Sequence, residues 1–371
     1  MKKIYTLLAA LACIFGCDRP AEVLFRSTVF EKGEGGIDTY RIPATVKSKA
    51  GTILAFAEAR HDSAGDSGHI DLVLKRSTDA GKSWGPMITV WGDGENVCGN
   101  PSPVVLPDGR ILLVCTWNKG SDKEMDIHHR RSEDTRRVFC LYSDDDGLSW
   151  SVPKEITSQV KDSEWTWYAT GPGHALLTES GRVVVPCNHG VWDEGARNTC
   201  SHLILSDDGG RSWRIGAVLE KGNECSVSEF RKDELLVNIR DWRLDGSERE
   251  HCRLGAFVED GGERADPQGC WTIWALPDPN CQGSQIANRN GRLYFSNPED
   301  KSQRRNLTVR KDISGTGQTW IPFCTITEGP AAYSDLVILR QPLAMFRQIT
   351  GVLYETGEKS PYERIDFAVF R

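Results

Sequence analysis

The sequence has few of the features that mark a metalloprotein, a nucleic-acid binder or a helical membrane protein. Its twelve cysteines form no Cys-x-x-Cys pair and no Cys/His grouping at metal-ligand spacing, so we expect no metal site. The 45 Lys and Arg residues are scattered and are outnumbered by 52 Asp and Glu residues, which argues against nucleic acid as a partner. After the first seventeen residues, long helical periodicity is nearly absent.

Residues 1–17 resemble an export signal. Lys2 and Lys3 precede an apolar run that is shorter than the about 20 residues of a membrane-spanning helix. The run ends in Ile-Phe-Gly-Cys17, which resembles a bacterial lipobox, although Phe15 departs from the usual small or aliphatic residue. We predict export from a bacterial cytoplasm, with lipidated Cys17 anchoring a cell-envelope protein. The alternative is an ordinary cleaved signal and a periplasmic or secreted protein.

An eight-residue pattern, Ser-x-Asp-x-Gly-x-Ser-Trp, occurs three times, at 77–84, 143–150 and 206–213. Asp bonds its own backbone, Gly accepts positive φ and Trp covers an apolar surface, so each copy predicts a tight turn on a packed element. A worn fourth copy at 315–320 keeps the spacing of Gly, Thr and Trp but lacks the Asp.

Short β-type runs fill the spaces between these turns, such as 52–57, 70–74, 110–115 and 182–186. A repeat of about 60 residues has room for four short strands, which fits a propeller blade better than a sandwich. Dividing the length after the signal by that period gives about six blades. We therefore predict an all-β chain in which residues 18–371 form a single six-bladed β-propeller.

Ten cysteines follow Cys17, and an exported chain can pair some of them. Their connectivity is not readable from the sequence. We expect buried thiols together with a few disulfide bridges.

Several polar residues lie at predicted strand ends, where a propeller gathers its functional site. The stretches that contain them are 39–43 (Thr-Tyr-Arg-Ile-Pro), 56–60 (Phe-Ala-Glu-Ala-Arg), the Asp-bearing loop 61–71, 167–173, 223–229, 238–240, 281–284 and 329–334. In this order, and together with the repeated octamers, they resemble the exo-α-sialidases. These are six-bladed propellers that release terminal sialic acid, and the resemblance covers essentially the whole chain after the signal.

The resemblance implies a retaining glycoside hydrolase in which Tyr333 is the nucleophile, Glu224 is its base and Asp66 is the acid/base. A phenol suits this substrate because sialic acid carries a carboxylate on the carbon that is attacked. A carboxylate nucleophile about 4 Å away would cost roughly 1 to 4 kcal/mol in repulsion. Free tyrosine has a pKa of about 10, so it needs a neighbouring base.

The resemblance also implies that Arg41, Arg240 and Arg304 hold the sugar carboxylate and that Arg60 is a further pocket arginine. A planar guanidinium binds a carboxylate through two parallel hydrogen bonds and stays charged at any working pH. Arg305 is the alternative to Arg304.

Asp62 and Asp71 share the loop with Asp66 and are its rivals as the acid. Asp66 has the family's distance beyond Arg41 and Arg60, and we expect its pKa to rise when bound substrate desolvates it.

Asn100 and Gln282 are weaker candidates for the pocket lining, with turn and backbone hydrogen bonding as the alternative. The stretch Trp165–Trp167 is a candidate contact for a substrate side chain, with core packing as the alternative.

We predict a monomer that hydrolyses terminal α-linked sialic acid from sialylated glycans with retention and without a cofactor. One alternative is a sialic-acid-binding propeller that has lost catalysis. The others keep the fold and either transfer sialic acid to another sugar or act on a related keto-sugar acid.

Overall fold

A computed structural model describes residues 21–193, 196–241, 251–341 and 347–371. The predicted signal peptide and Cys17 lie outside the described residues. As predicted, the described part is an all-β structure; its helices are short, namely a 3-10 turn (Glu34–Gly36), α1 (Glu124–His128) and α2 (Thr157–Val160). Within these ranges, no helix has the length and apolar character needed to cross a membrane.

The described strands form four sheets. After β1 (Val23–Glu31), the first sheet contains, in chain order, β2 (Thr39–Lys47), β3 (Ile53–Arg60), β4 (Ile70–Ser77), β5 (Ile88–Trp91), β6 (Val97–Val105), β7 (Ile111–Asn118), β8 (Arg137–Ser143) and β9 (Lys154–Glu155). The second contains β10 (Trp165–Thr170), β11 (Leu176–Leu177), β12 (Val183–Asp193), β13 (Ala196–Ser206) and β14 (Arg214–Leu219). Each of the four predicted β-type runs falls in one of these strands, although three of the strands begin one residue later than the run.

The third sheet contains β15 (Cys225–Arg231), β16 (Glu234–Ile239), β17 (Cys252–Glu259), β18 (Arg264–Ala265) and β19 (Trp271–Pro277). The fourth contains β20 (Ser284–Ala287), β21 (Leu293–Pro298), β22 (Arg305–Asp312), β23 (Trp320–Arg340), β24 (Ile349–Thr356) and β25 (Arg364–Phe370). Strand β1 completes this sheet by pairing antiparallel with β25. The first strand is therefore held by the last one.

The three octamers form turns of the same kind, between β4 and β5, β8 and β9, and β13 and β14. In the first, the Ser77 hydroxyl donates to Asp79 at 2.8 Å and the Ser83 hydroxyl donates to the same carboxylate at 2.6 Å. Gly81 has a φ of +89°, and a Cβ there would collide with the Phe367 ring, so glycine is required. The prediction of a repeated tight turn is confirmed.

The worn fourth copy connects β22 to β23 and replaces the missing Asp with an upstream residue. The Ser314 hydroxyl donates to Asp312 at 2.6 Å, and the Trp320 indole N–H donates to the Gly317 carbonyl at 2.7 Å. The indole of Trp213 in the third octamer makes the equivalent bond to the carbonyl of Gly210.

The hydrophobic core is divided into clusters that lie within one sheet or between neighbouring sheets, and cysteines are part of it. All ten cysteines after Cys17 are free thiols in the described structure, so the expectation of a few bridges is wrong there. Eight are buried, and several pack with Val, Leu and Ile side chains; Cys98 and Cys115 share one cluster, and Cys140 and Cys187 share another. A buried thiol behaves as a small hydrophobic group, which accounts for these positions without cross-links.

Candidate active site

All seven residues predicted for the site line one cavity of about 280 Å³. They come from widely separated strand ends and loops: Arg41 from β2, Arg60 from the end of β3, Asp66 from the β3–β4 loop, Glu224 from just before β15, Arg240 from just after β16, Arg304 from just before β22 and Tyr333 from β23. The fold brings these ends together, although the seven residues span most of the chain.

Tyr333 is buried and contacts both a carboxylate and a guanidinium. Its hydroxyl donates to Glu224 Oε1 at 2.7 Å and accepts from Arg240 Nη1 at 3.2 Å. Arg240 Nη1 also donates to Glu224 Oε2 at 2.6 Å. Burial, and next the charge of Glu224, raise the pKa of Tyr333 well above its ordinary value. The phenol is therefore neutral at rest and is already bonded to the group that can accept its proton.

Arg41 is fixed by a buried carboxylate on β24. Its Nε donates to Glu355 Oε1 at 2.9 Å and its Nη2 donates to Glu355 Oε2 at 3.3 Å. The guanidinium lies over the Tyr362 ring at 4.3 Å and near the Tyr333 ring at 5.2 Å. The next residue, Ile42, has a φ of +60°, which is strained for a β-branched side chain. Its amide donates to Glu355 at 3.0 Å, which helps to hold this conformation.

Arg304 lies in the cavity and Arg305 lies outside it. Arg304 donates to the Tyr362 hydroxyl at 2.8 Å and to the Asn280 carbonyl at 3.1 Å, and its guanidinium lies 5.6 Å from the Tyr333 ring centre. Arg305 is about half exposed and lies 3.6 Å from an Asp300 oxygen. Arg304 forms no ion pair with another described residue, so its charge is available to an anionic ligand.

Arg60 holds the loop that carries Asp66. Its Nε and Nη2 donate to Glu58 Oε2 at 3.0 and 2.6 Å, and its Nη1 lies 2.7 Å from Asp66 Oδ1. Burial would raise the pKa of Asp66, but the charges of Arg60 and Arg41 lower it below its ordinary value. The Asp66 side chain itself is 66% exposed. Of the three loop aspartates, only Asp66 lines the cavity.

Arg136 also lines the cavity, although it was not among the predicted site residues. It is buried, donates to Thr116 Oγ1 at 2.9 Å and to Asn100 Oδ1 at 2.6 Å, and lies 4.0 Å from the Trp167 ring centre. Burial lowers its pKa to about 10 despite the opposing charge of Glu58. The sequence contained a usable signal: Arg136 and Arg304 are each the first residue of an Arg-Arg doublet at the start of a strand.

Only some of the weaker candidates from the sequence line the cavity. Asn100 and Trp167 line the cavity. Gln282 instead makes hydrogen bonds to the backbone. Its side-chain amide nitrogen donates to the Pro172 and Ser334 carbonyls, both at 3.1 Å. Trp165 stacks on His189 at 3.6 Å and is not part of the lining.

The arrangement is suited to a small organic anion. Three arginines surround one buried phenol, and a carboxylate that can take the phenol proton lies behind it. A second carboxylate, Asp66, stands at the exposed side of the same cavity. A cluster of arginines suits a carboxylate, and a phenol bonded to one carboxylate with a second carboxylate nearby is the set of groups that a glycosidase for an acidic sugar would need.

Comparison with known proteins agrees with this class. Residues 51–345 match the family described as BNR repeat-like domain. The chain is 30% identical to a sialidase of Bacteroides fragilis, over 88% of this chain and 61% of that protein. It is also 30% identical to an exo-alpha-sialidase of Aspergillus fumigatus, over 74% of this chain and 68% of that protein. A solved structure described as Hadza microbial sialidase Hz136 superposes with a TM-score of 0.77 at 26% identity, covering 93% of this chain and 68% of that one.

The chain therefore belongs to the BNR repeat-like family and, within it, to the sialidases. It spans a little under two thirds of the Bacteroides protein, so it corresponds to part of that relative's length.

Proposed function

We propose that this protein is an exo-α-sialidase that hydrolyses terminal α-linked sialic acid from glycans with retention, using Tyr333 as the nucleophile. One observation carries the proposal: the Tyr333 hydroxyl donates to Glu224 at 2.7 Å inside a ring of three arginines. A phenol and its base can act on a neutral substrate without arginines. The three arginines around them therefore favour a substrate that carries a negative charge close to the reacting carbon. Sialic acid has its carboxylate on the reacting carbon.

Binding begins with the substrate carboxylate entering between Arg41, Arg240 and Arg304. Glu355 holds Arg41 and Glu224 holds Arg240 at 2.6 Å, so both guanidiniums are oriented before the ligand arrives. Arg304, in contrast, is held by neutral groups, the Tyr362 hydroxyl and the Asn280 carbonyl. The substrate carboxylate would therefore be its first negatively charged partner. Such preorganisation reduces the entropy lost on binding.

In the first chemical step, the Tyr333 oxygen bonds to the anomeric carbon as the glycosidic bond breaks. The phenol proton passes to Glu224, and Asp66 gives its proton to the departing glycosidic oxygen. Arg240 Nη1 stabilises the phenolate character that develops during this transfer, because it already donates to the Tyr333 oxygen at 3.2 Å.

In the second step, water replaces the leaving group. Asp66, now ionised, takes a proton from the water that attacks the anomeric carbon, while Tyr333 leaves and recovers its proton from Glu224. Two displacements at one carbon give net retention. The exposed position of Asp66 in the β3–β4 loop gives it access to both the leaving oxygen and the incoming water.

We further propose that residues 18–371 form one six-bladed propeller. The described strands fall into six groups of about four: β2–β5, β6–β9, β10–β14, β15–β19, β20 to the first half of β23, and the second half of β23 with β24, β25 and β1. Pairing of β1 with β25 would close the last blade across the chain ends. Export of the chain, lipidation of Cys17 and a monomeric state remain part of the same proposal.

The test is release of free sialic acid from 3′- and 6′-sialyllactose by the wild type, by Tyr333→Phe and by the exposed control Tyr142→Phe. We expect Tyr333→Phe to lose more than about a thousandfold in rate, and Tyr142→Phe to match the wild type. Binding of sialyllactose without release by the wild type would favour a binding propeller. Normal release by Tyr333→Phe would remove Tyr333 as the nucleophile.

A further inference from the structure

We propose that His61, His69 and Asp71 form a binding site for one zinc-class divalent metal ion at the root of the β3–β4 loop. The ligand atoms of these three residues lie within 4.8 Å of one another. No metal site was predicted from the sequence, because the spacing of cysteine and histidine residues along the chain matches no metal motif. The group becomes visible once the strand register is known.

The strand register places all three side chains on one face of the hairpin. In the β3–β4 ladder, Ala59 pairs with Asp71 and Arg60 pairs with Ile70. The His61 amide donates to the His69 carbonyl at 3.1 Å, so these two residues form the next pair. Because side chains alternate between faces, His61, His69 and Asp71 share one face. Arg60 and Ile70 line the catalytic cavity from the other face.

The distances between the ligand atoms suit a four-coordinate ion. Asp71 Oδ2 lies 3.0 Å from His61 Nε2 and 3.4 Å from His69 Nε2. Zinc bound to nitrogen and oxygen at about 2.0 to 2.1 Å in a tetrahedron separates its ligands by about 3.3 Å. The two rings stack at 3.7 Å, which places both Nε2 atoms beside the same carboxylate oxygen. Because the rings are nearly parallel, with an interplanar angle of 6°, binding of both Nε2 atoms to one ion requires the rings to rotate out of the stack.

The charge of Asp71 also calls for a cation. Its Oδ1 is buried without a hydrogen-bond partner in the described structure, and its ion-pair neighbours are the two histidines alone. A partly buried carboxylate charge without a cationic partner is costly. A divalent ion bound to Oδ2 and to two neutral imidazoles would compensate this charge and leave a fourth position for water. The histidines are 28% exposed, so the ion has a route from solvent.

The bound ion would link the two ends of the seven-residue segment that includes Asp66. This consequence rests on the proposed function, whereas metal binding itself does not. The ion would lie on the opposite face of the hairpin from Arg60. We therefore assign it the role of holding the loop in place, without contact with the substrate.

The experiment titrates ZnCl₂ into the EDTA-treated protein by calorimetry, without substrate. We expect one Zn²⁺ per chain, with affinity at least about tenfold lower in His61→Gln and in His69→Gln, since each removes one ligand. His129→Gln, a histidine on α1's C-terminal side, is the matched control and should bind like the wild type. Amide exchange in residues 62–68 should slow when Zn²⁺ is added to the wild type, which tests the role in the loop separately.

Two results would overturn the proposal: no stoichiometric Zn²⁺ binding by the wild type, or unchanged binding by both His→Gln variants. Melting temperatures in EDTA show whether the variants fold. If either does not, the visible spectrum of the Co²⁺-loaded wild type decides instead, because four-coordinate cobalt absorbs strongly and hexaaqua cobalt does not. A weak, hexaaqua-type spectrum would then count against the site. Since no substrate is present, a failed sialidase assay leaves this result unaffected.

Discussion

Glu355 holds Arg41 and the backbone of Tyr333 at the same time. Its two oxygens lie 2.9 and 3.3 Å from the Arg41 guanidinium, and its Oε2 accepts the Tyr333 amide at 3.2 Å. The proposed carboxylate-binding arginine and the proposed nucleophile therefore share one fully buried anchor. A displacement of Glu355 would disturb both.

Glu355→Gln should destabilise the protein and reduce turnover. The substitution leaves Arg41 buried opposite a neutral amide, and breaking a buried ion pair from one side costs about 3 to 5 kcal/mol. Urea unfolding measures this loss, and kcat/KM for sialyllactose measures the effect on the site. Glu358→Gln, in the exposed turn after β24, is the control. Equal stability of the two variants would show that the Arg41–Glu355 pair contributes little.

Arg304→Lys should weaken substrate capture, whereas Arg305→Lys should not. Lysine keeps the charge but loses the planar fork, and one charge-assisted hydrogen bond is worth about 1.5 to 3 kcal/mol, or roughly 10- to 100-fold in kcat/KM. The two substitutions are chemically identical and lie at adjacent positions. They differ only in location, since Arg304 lines the cavity and Arg305 lies outside it. Steady-state kinetics on sialyllactose make the comparison. A larger loss in Arg305→Lys would reverse the assignment.

The local parts of this structure were predictable from the sequence, and the supporting contacts of the site were not. The octamers predicted their turns because Ser77, Asp79 and Ser83 bond within one short segment. Glu355 carried no comparable signal, because its partner Arg41 is 314 positions away.

Arg136 was missed for a related reason. Its partners Asn100 and Thr116 lie on other strands, and nothing beside it in the sequence reveals them. Arg136 and Arg304 nonetheless share one feature. Each directly precedes a strand that begins with a second arginine, and only the first of the two arginines lines the cavity.

Asp66→Ala should impair natural substrates far more than activated ones. Sialyllactose has a poor leaving group that needs a proton, and general acid catalysis contributes about 100- to 10,000-fold. A phenolic sialoside has a good leaving group and should lose little in its first step. Parallel kinetics on both substrates give the ratio, with Asp62→Ala in the same loop as the control. Equal losses on the two substrates would point to a different acid.

Arg60→Gln should move the alkaline limb of kcat/KM to higher pH. A general acid must be protonated in the free enzyme, so kcat/KM falls as pH rises through the pKa of Asp66. Arg60, at 2.7 Å, and Arg41 hold that pKa below its ordinary value, and this places the limb at acidic pH. Removing the Arg60 charge raises the pKa of Asp66, so the protonated form persists to higher pH.

The pH profile separates this electrostatic effect from a general loss of activity. Arg60→Gln also leaves Glu58 without its 2.6 Å partner, so the maximum of kcat/KM should fall as well. The position of the limb does not depend on that maximum. Arg130→Gln, whose arginine pairs with Glu164 at the surface, should leave both the limb and the maximum unchanged. If Arg60→Gln lowered the maximum without moving the limb, Asp66 would not be the titrating acid, and Arg60 would act only by holding the loop.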